Sequence, residues 1–224
     1  MKTLFVTASG TGTGKTYVTA ALAQSLKEKG QSVQALKPVI SGYPGDDGAA
    51  TDTAILLKCL GIEAREEAVE ACSPWRFPEP LSPDMAAQRQ GRAIDFEALA
   101  AFCRDAQGGD EDWLLIEGIG GVMVPLDDTH TVLDWIAKLG APALVVVGSY
   151  LGTLSHTLTA VGALQSRGIS IAGVVVDESE DSPAPVAETV ESLGRHLNGV
   201  SVAAVARNAG PGDVYKALAE LIGA

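Results

Sequence analysis

The chain has 224 residues, of which 46 % are hydrophobic and only 5 % aromatic, and its formal net charge is -12. This length and apolar content suit one α/β domain whose core is filled by Val, Ile, Leu and Ala. The acidity argues against a general binder of nucleic acid or of anionic membranes, since both of these partners are polyanions.

The pattern of apolar residues predicts strands and helices that alternate along the chain. In chain order these are a strand at residues 4–7, a helix at 15–29, a strand at 33–40, helices at 51–60 and 96–106, a strand at 113–116, a helix at 131–139, a strand at 143–147, a helix at 153–167, a strand at 171–176, a helix at 185–197, a strand at 200–205 and a helix at 214–222. Residues 42–50 are the longest stretch that we expect to be flexible.

Strands that are apolar throughout and alternate with helices indicate a doubly wound, mostly parallel sheet with helices on both faces. No internal repeat, low-complexity tract or long linker divides the chain, so we expect a single domain over residues 1–224. In such sheets ligands bind beyond the carboxyl ends of the strands. The residues that follow the predicted strands are therefore the first candidates for function.

The three cysteines, Cys59, Cys72 and Cys103, are scattered and lack C-x-x-C spacing. This pattern predicts reduced thiols and argues against disulfide bonds or a zinc site. The N-terminal residues lead straight into an apolar run without a secretory signal, and no long apolar span follows. We therefore expect a cytoplasmic protein.

A glycine-rich loop at residues 9–14 leads from the first predicted strand to Lys15 and Thr16 at the start of the first helix. Its glycines allow backbone N–H groups to approach phosphate oxygens, and the helix N-terminus adds partial positive charge. This is the pattern of a P-loop, although Ser9 stands where the usual spacing has glycine. Lys15 is expected to reach the β- and γ-phosphates of ATP, and the Thr16 hydroxyl to bind Mg²⁺. The further candidates for nucleotide binding are Gly12, Thr13, Gly14 and Tyr17.

Three charged residues are predicted to lie at the same edge of the sheet. Lys37 follows the second predicted strand, Asp52 opens the next helix, and Glu117 follows the strand at 113–116. Lys37 would face the phosphates, while Asp52 and Glu117 would join Thr16 in supplying the hard oxygen ligands that Mg²⁺ prefers. The alternatives are a solvated surface lysine at position 37 and, at position 52, an acid that only stabilises the helix N-terminus.

Several short motifs follow one another in a single order along the chain: Phe5-Val6-Thr7, Thr11…Gly14-Lys15-Thr16, Lys37-Pro38-Val39…Ser41-Gly42, Asp52, Phe77…Glu79-Pro80…Ser82-Pro83, Glu117-Gly118…Gly120-Gly121, Pro125-Leu126, Asp134-Trp135, Val146-Val147-Gly148 and Leu151-Gly152…His156. With these motifs the chain resembles the dethiobiotin synthetases, ATP-dependent ligases of the P-loop NTPase superfamily. The resemblance covers nearly the whole chain and is far more specific than the P-loop alone.

The resemblance implies an enzyme that uses Mg²⁺ and ATP, as a co-substrate, to form a cyclic urea from 7,8-diaminopelargonate and CO₂. One amine captures CO₂ as a carbamate, which attacks the γ-phosphate to give a carbamic–phosphoric anhydride. The second amine then closes the ring and releases phosphate. The resemblance also implies a homodimer with its substrate near the interface.

The resemblance assigns roles to residues around the P-loop. Lys15 and Lys37 would stabilise the charge that develops on phosphate and carbamate, and Thr11 would act with them. Thr11, Lys37, Ser41 and Gly120 would bind the reacting end of the substrate.

Two further contacts are implied farther along the chain. Backbone N–H groups at Leu151 and Gly152, at a helix start, would bind the substrate carboxylate. Asp177 stands where some relatives have an asparagine that reads adenine. Because a carboxylate accepts hydrogen bonds but does not donate them, we expect weak discrimination between nucleotide bases. The alternative is that Asp177 and Glu178 face solvent and that backbone groups read adenine.

The alternative function is that of an ATPase switch of the ParA/MinD type, which shares this sheet and loop. That class has a second lysine early in the loop, where this chain has Gly10. Its membrane-binding members carry a basic amphipathic tail, whereas the last predicted helix contains only Lys216 as a basic residue. These differences favour the ligase.

Overall fold

The structure, a computed structural model, describes residues 1–44 and 51–224. The strands of this part are β1 (Lys2–Ala8), β2 (Val33–Leu36), β3 (Val39–Ser41), β4 (Trp75–Phe77), β5 (Trp113–Glu117), β6 (Ala143–Gly148), β7 (Ile171–Asp177) and β8 (Val202–Val205). Six of them form a central sheet in the order β2-β5-β1-β6-β7-β8, and β3 and β4 form a separate pair. All neighbouring strands run parallel.

The helices in the described ranges are α1 (Lys15–Glu28), α2 (Asp52–Leu60), α3 (Glu66–Cys72), α4 (Pro83–Arg89), α5 (Phe96–Gln107), α6 (Val132–Leu139), α7 (Thr153–Ser166), α8 (Val186–His196) and α9 (Pro211–Leu221). None of these helices is long and apolar enough to cross a lipid bilayer.

Both faces of the central sheet are buried, because successive side chains of a strand point to opposite faces. In β1, Leu4 and Val6 pack in a core that includes residues of α1 and α9. Phe5, between them, packs in a second core that includes residues of α4 through α8. A strand covered on both faces must be apolar throughout. The predicted doubly wound parallel sheet is confirmed.

The second predicted strand is wrong in its extent. Residues 33–40 form two strands, β2 in the central sheet and β3, which pairs with β4. Pro38 separates them, since proline has no N–H group to continue the ladder with β5. Its carbonyl oxygen accepts a hydrogen bond from the Trp75 N–H at 3.0 Å instead.

Three short elements, α3, β4 and α4, were not predicted from the sequence. Each has only three to seven residues, too few for a clear periodicity. In the expected flexible stretch, residues 42–44 are described and residues 45–50 lie outside the described part of the chain.

The three cysteines are free thiols, as predicted. Cys72 and Cys103 are buried, and Cys59 is half-buried. Burial raises the pKa of Cys59 to about 11 and that of Cys103 to about 12. These thiols therefore stay protonated and act as small apolar groups.

Candidate active site

The loop of residues 9–14 joins β1 to α1 at the carboxyl end of the central sheet. Gly12 and Gly14 have φ angles of +71° and +83°, in a region that residues with a Cβ atom rarely adopt. A side chain at Gly14 would also overlap with the carboxylate of Asp177. Gly14 caps α1, and the N–H groups of the first turn of a helix have no partner inside that helix. The loop and the helix N-terminus together suit an anionic ligand.

Lys15, the first residue of α1, folds back over this loop. The residue is 7 % exposed, and its Nζ donates a hydrogen bond to Gly10 O at 3.4 Å. Burial, followed by the positive charge of Lys37, lowers the pKa of Lys15 to about 8. An anion bound at the loop would oppose both effects and favour the charged ammonium.

Lys37 and Glu117 form a buried ion pair beside the loop. Their side chains are 3 % and 0 % exposed, and Lys37 Nζ lies 2.8 Å from Glu117 Oε1. The same Nζ donates to Gly118 O at 2.7 Å and lies 3.5 Å from Asp52 Oδ2. The alternative of a solvated surface lysine at position 37 is therefore wrong.

Thr16 joins this cluster from α1. Its hydroxyl donates a hydrogen bond to Glu117 Oε1 at 2.8 Å. The second carboxylate oxygen, Glu117 Oε2, is buried and has no hydrogen-bond partner among the described residues. Of the three predicted metal ligands, Asp52 and Glu117 therefore contact the Lys37 ammonium, and Thr16 contacts Glu117.

The end of α3 holds Lys37 and the start of α2 in place. The Lys37 N–H donates to Cys72 O at 3.1 Å, and the hydroxyls of Ser73 and Thr53 are 2.6 Å apart. Thr51 Oγ1 caps α2 by accepting from the Ala54 N–H at 3.2 Å. Asp52 is therefore not the cap of α2, and its carboxylate faces Lys37.

A cleft of about 430 Å³ opens in front of the cluster. Its lining unites most of the predicted site: residues 11–17, Lys37, Ile40, Ser41, Asp52, Ile119 and Gly120. Thr11, Ser41 and Gly120 lie on its wall. Glu117 lies behind Lys37 and does not reach the wall.

This donor set fits a divalent cation bound together with nucleotide phosphates. A threonine hydroxyl and two carboxylates are hard oxygen ligands, and the unpartnered Glu117 Oε2 is a buried oxygen that a cation would satisfy. Within residues 1–44 and 51–224, no three His, Cys, Asp or Glu side chains gather into a metal site by themselves. Phosphate and water oxygens would have to complete the shell.

Asp177 lies at the end of β7, with its carboxylate over Gly14. Burial raises the pKa of Asp177 to about 6; the positive charge of Arg207 opposes this shift, and Glu178 adds to it. Glu178 Oε2 accepts a hydrogen bond from the Arg207 N–H at 3.0 Å. Tyr17, on the cleft wall, is 49 % exposed.

Leu151 and Gly152 do not line this cleft in a single chain. They border a separate groove of about 690 Å³ between the start of α7 and α8. Gly152 caps α7 with a φ angle of +98°, and Leu151 is 88 % exposed.

Sequence reasoning missed the contact between the P-loop and the turn after β5. A Cβ atom on Gly121 would lie 3.1 Å from Gly10 N and from Ser9 O, so the two backbones are in direct contact. Ile119 and the carbonyl of Gly118 also belong to the site. The signal was the glycine-rich run Gly118-Ile119-Gly120-Gly121, whose partner only the fold reveals.

Comparison with structures of other proteins supports the fold. The MinC:MinD cell division protein complex of Aquifex aeolicus matches with a TM-score of 0.59 and 15 % identity, over 100 % of this chain and 95 % of that one. The septum site-determining protein MinD from Pyrococcus horikoshii OT3, complexed with Mg-ADP, matches with a TM-score of 0.55 and 16 % identity, over 99 % and 94 %. At these identities the likeness shows a shared fold and nothing about activity.

Sequence comparison is more specific. A family described as an AAA domain matches residues 2–209. The ATP-dependent dethiobiotin synthetase BioD of Acidiphilium cryptum (strain JF-5) is 52 % identical over 198 residues, 88 % of this chain and 89 % of that protein. The protein of the same name from Methylobacterium nodulans (strain LMG 21967 / CNCM I-2342 / ORS 2060) is 45 % identical over 215 residues, 94 % and 95 % of the two chains. With these motifs, this fold and these relatives, the chain belongs to the dethiobiotin synthetase family.

Proposed function

We propose that this chain is an ATP-dependent ligase that forms dethiobiotin from 7,8-diaminopelargonate and CO₂. Its family supplies the reaction class, since the relatives are named ATP-dependent dethiobiotin synthetase. The observation that carries the proposal is the convergence of Lys15, Thr16 and Lys37 at one cleft beside a glycine-rich loop, with Glu117 behind them as a partner of Thr16 and Lys37.

The reaction consists of one addition to CO₂ and two substitutions, one at phosphorus and one at the carbamoyl carbon. An amine nitrogen of the substrate attacks CO₂ and loses a proton, which gives a carbamate. A carbamate oxygen attacks the γ-phosphorus, and ADP leaves with the electron pair of the broken P–O bond. The second amine attacks the carbamoyl carbon and loses a proton, phosphate leaves, and the cyclic urea is closed. No step needs a covalent nucleophile from the protein, so positioning and charge stabilisation carry the rate.

The described residues suit these demands. The loop N–H groups and Lys15 bind the phosphates, where negative charge accumulates as ADP leaves. Lys37 also lines the cleft, and its ammonium would stabilise charge on the γ-phosphate and the carbamate. Thr11, Ser41 and Gly120 face the same space and orient the diamine.

We include Mg²⁺ in the proposal, held by Thr16, Asp52 and Glu117 together with the phosphates. When bound, it neutralises part of the phosphate charge. We also propose that residues 1–224 form one domain, because both hydrophobic cores share the same central sheet.

We propose further that two copies of the chain form a homodimer around the substrate. Three large apolar side chains support it, since Leu151, Met123 and Leu154 are 88 %, 57 % and 38 % exposed. The start of α7 from a second copy could then offer its N–H groups to the substrate carboxylate. Light scattering at micromolar concentration should give the mass of a dimer. A fully active monomer would contradict this part of the proposal.

The decisive experiment is an assay for dethiobiotin from 7,8-diaminopelargonate, bicarbonate and Mg-ATP, with release of ADP and phosphate. Product formation should require both ATP and the diamine. ATP hydrolysis that proceeds at the same rate without diamine, with no dethiobiotin formed, would instead point to an ATPase switch.

A further inference from the structure

The Lys37 ammonium lies among the side chains proposed to hold the metal. Nζ is 2.8 Å from Glu117 Oε1 and 3.5 Å from Asp52 Oδ2. Glu117 Oε1 also accepts a hydrogen bond from Thr16 Oγ1 at 2.8 Å. The protein thus directs one of its own cations at the oxygens that a divalent cation would need.

An ammonium and a divalent cation cannot share these oxygens without strong repulsion. A cation bound to Asp52 Oδ2 at about 2.1 Å would lie within about 6 Å of Nζ, by addition of the two distances. Water screens this repulsion weakly for a cation on Glu117, which is fully buried, and more strongly for one on Asp52, whose side chain is 42 % exposed. Lys15, whose pKa the Lys37 charge already lowers, adds a further positive charge nearby.

The cleft offers other anionic partners to the displaced ammonium. Lys37 itself lines the cleft of about 430 Å³, where nucleotide phosphates and the carbamate would supply negative charge. A lysine side chain has several rotatable bonds and can exchange one anionic partner for another. The backbone of Lys37 would stay in place, because its N–H is bonded to Cys72 O at 3.1 Å.

We infer that Lys37 and the divalent cation compete for Glu117 and Asp52, so that metal binding releases the Lys37 ammonium towards the reacting groups in the cleft. The identity of those groups rests on the proposed function, whereas the competition requires only a divalent cation. With this exchange, the Lys37 ammonium contacts the reacting groups only after the metal has bound.

Mn²⁺ binding without nucleotide tests the competition, with free Mn²⁺ measured by electron paramagnetic resonance. Lys37→Met removes the competing charge and keeps an unbranched side chain, so it should bind Mn²⁺ at least about tenfold more tightly than the wild type. Lys58→Met, on the exposed face of the same helix as Asp52, is the matched control and should bind like the wild type. Adding Glu117→Gln to Lys37→Met should abolish the gain. Equal affinities for Lys37→Met and the wild type would overturn the inference.

A structural measurement separates displacement from simple repulsion. In a crystal structure of the wild type with Mg²⁺ and a non-hydrolysable ATP analogue, Lys37 Nζ should lie beyond hydrogen-bond distance of Glu117 Oε1. A cation bound to Glu117 Oε2, with Lys37 still hydrogen-bonded to Oε1, would refute the exchange. This measurement needs no variant, so it decides the matter even if Lys37→Met fails to fold with Glu117 unpaired.

The two proposals can fail separately. If the wild type makes dethiobiotin but keeps Lys37 on Glu117 in the metal complex, the proposed function is supported and the exchange is refuted. If the wild type shows the exchange but makes no dethiobiotin, the exchange is supported and the proposed function is refuted.

Discussion

Two regions beside the P-loop are built differently: the phosphate end of the cleft, named for the phosphates that we propose it binds, and the position of Asp177 over Gly14. At the phosphate end, Lys37 and Glu117 are 3 % and 0 % exposed, and their partners come from the P-loop helix, the turn after β5 and the start of α2. Away from this cluster, Tyr17 is half exposed on the cleft wall, and Asp177 lies outside the cleft lining with its carboxylate resting on Gly14. Several elements hold the phosphate end, whereas the Asp177 side chain is only partly buried.

This contrast indicates where the protein can tolerate change. Removing one member of a buried ion pair leaves an uncompensated charge and costs about 3–5 kcal/mol. Half-exposed groups are screened by water, and their loss has small effects. Transition-state charge in the proposed reaction develops at the phosphate end, so we expect substitutions there to have larger effects than substitutions at Asp177.

The largest effect is expected for Lys15→Ala. The variant should lose about a thousandfold or more in kcat, since a cation directed at the transferred phosphate acts mainly in the transition state. Its melting temperature should change little, because among the described residues the ammonium makes one hydrogen bond, a long one to Gly10 O, and its removal also relieves the repulsion with Lys37. The control is Lys27→Ala, an exposed lysine in the last turn of the same helix. Retention of more than a modest fraction of activity would make the phosphate-end assignment wrong.

The two carboxylates should differ from each other. Glu117→Gln and Asp52→Asn should both raise the Mg²⁺ concentration needed for half-maximal rate, by about tenfold or more for Glu117→Gln. The effect should be smaller for Asp52→Asn, because its side chain is 42 % exposed while that of Glu117 is fully buried. Mg²⁺ titrations of the initial rate measure this difference. An unchanged Mg²⁺ requirement in both variants would show that neither carboxylate belongs to the metal shell.

A smaller effect is expected for the nucleotide base. The wild type should prefer ATP over CTP and GTP by less than about a thousandfold in kcat/KM, equivalent to roughly 4 kcal/mol. Most affinity comes from phosphates that all three share, and the Asp177 carboxylate cannot donate a hydrogen bond. Asp177→Asn restores a donor and should raise the preference for ATP by roughly 1–3 kcal/mol. A larger preference in the wild type would mean that other groups read adenine.

The smallest effect concerns the pH dependence of stability. The pKa of Asp177 is raised to about 6 in the folded chain, while a free aspartate titrates near 3.8. The folded state therefore binds more protons between these values, and stability falls as the pH rises through them. The melting temperature of the wild type should fall relative to Asp177→Asn from about pH 4 to about pH 6, and the difference should be constant above that range. A constant difference from pH 4 to pH 7 would contradict the shifted pKa.

The sequence alone identified the residues of the phosphate end, but not the contacts between them. The strand, the glycine-rich loop and the helix that begins at Lys15 are local features, each set by residues close together in the chain. Lys37 and Glu117 were identified because parallel strands bring their carboxyl ends to one edge of the sheet. The family motifs added Thr11, Ser41 and Gly120, and the fold places all three on the same cleft.

Only the tertiary structure decided how these residues meet. The break at Pro38, which sends β3 to a separate pair with β4, depends on a partner strand that is distant in sequence. The hydrogen bond between Thr16 and Glu117 spans 101 residues, and that between Lys37 and Glu117 spans 80. The contact of Gly121 with the P-loop and that of Asp177 with Gly14 are of the same kind. Short-range periodicity contains no information on contacts between residues so far apart in the sequence, because these contacts result from the packing of whole elements against one sheet.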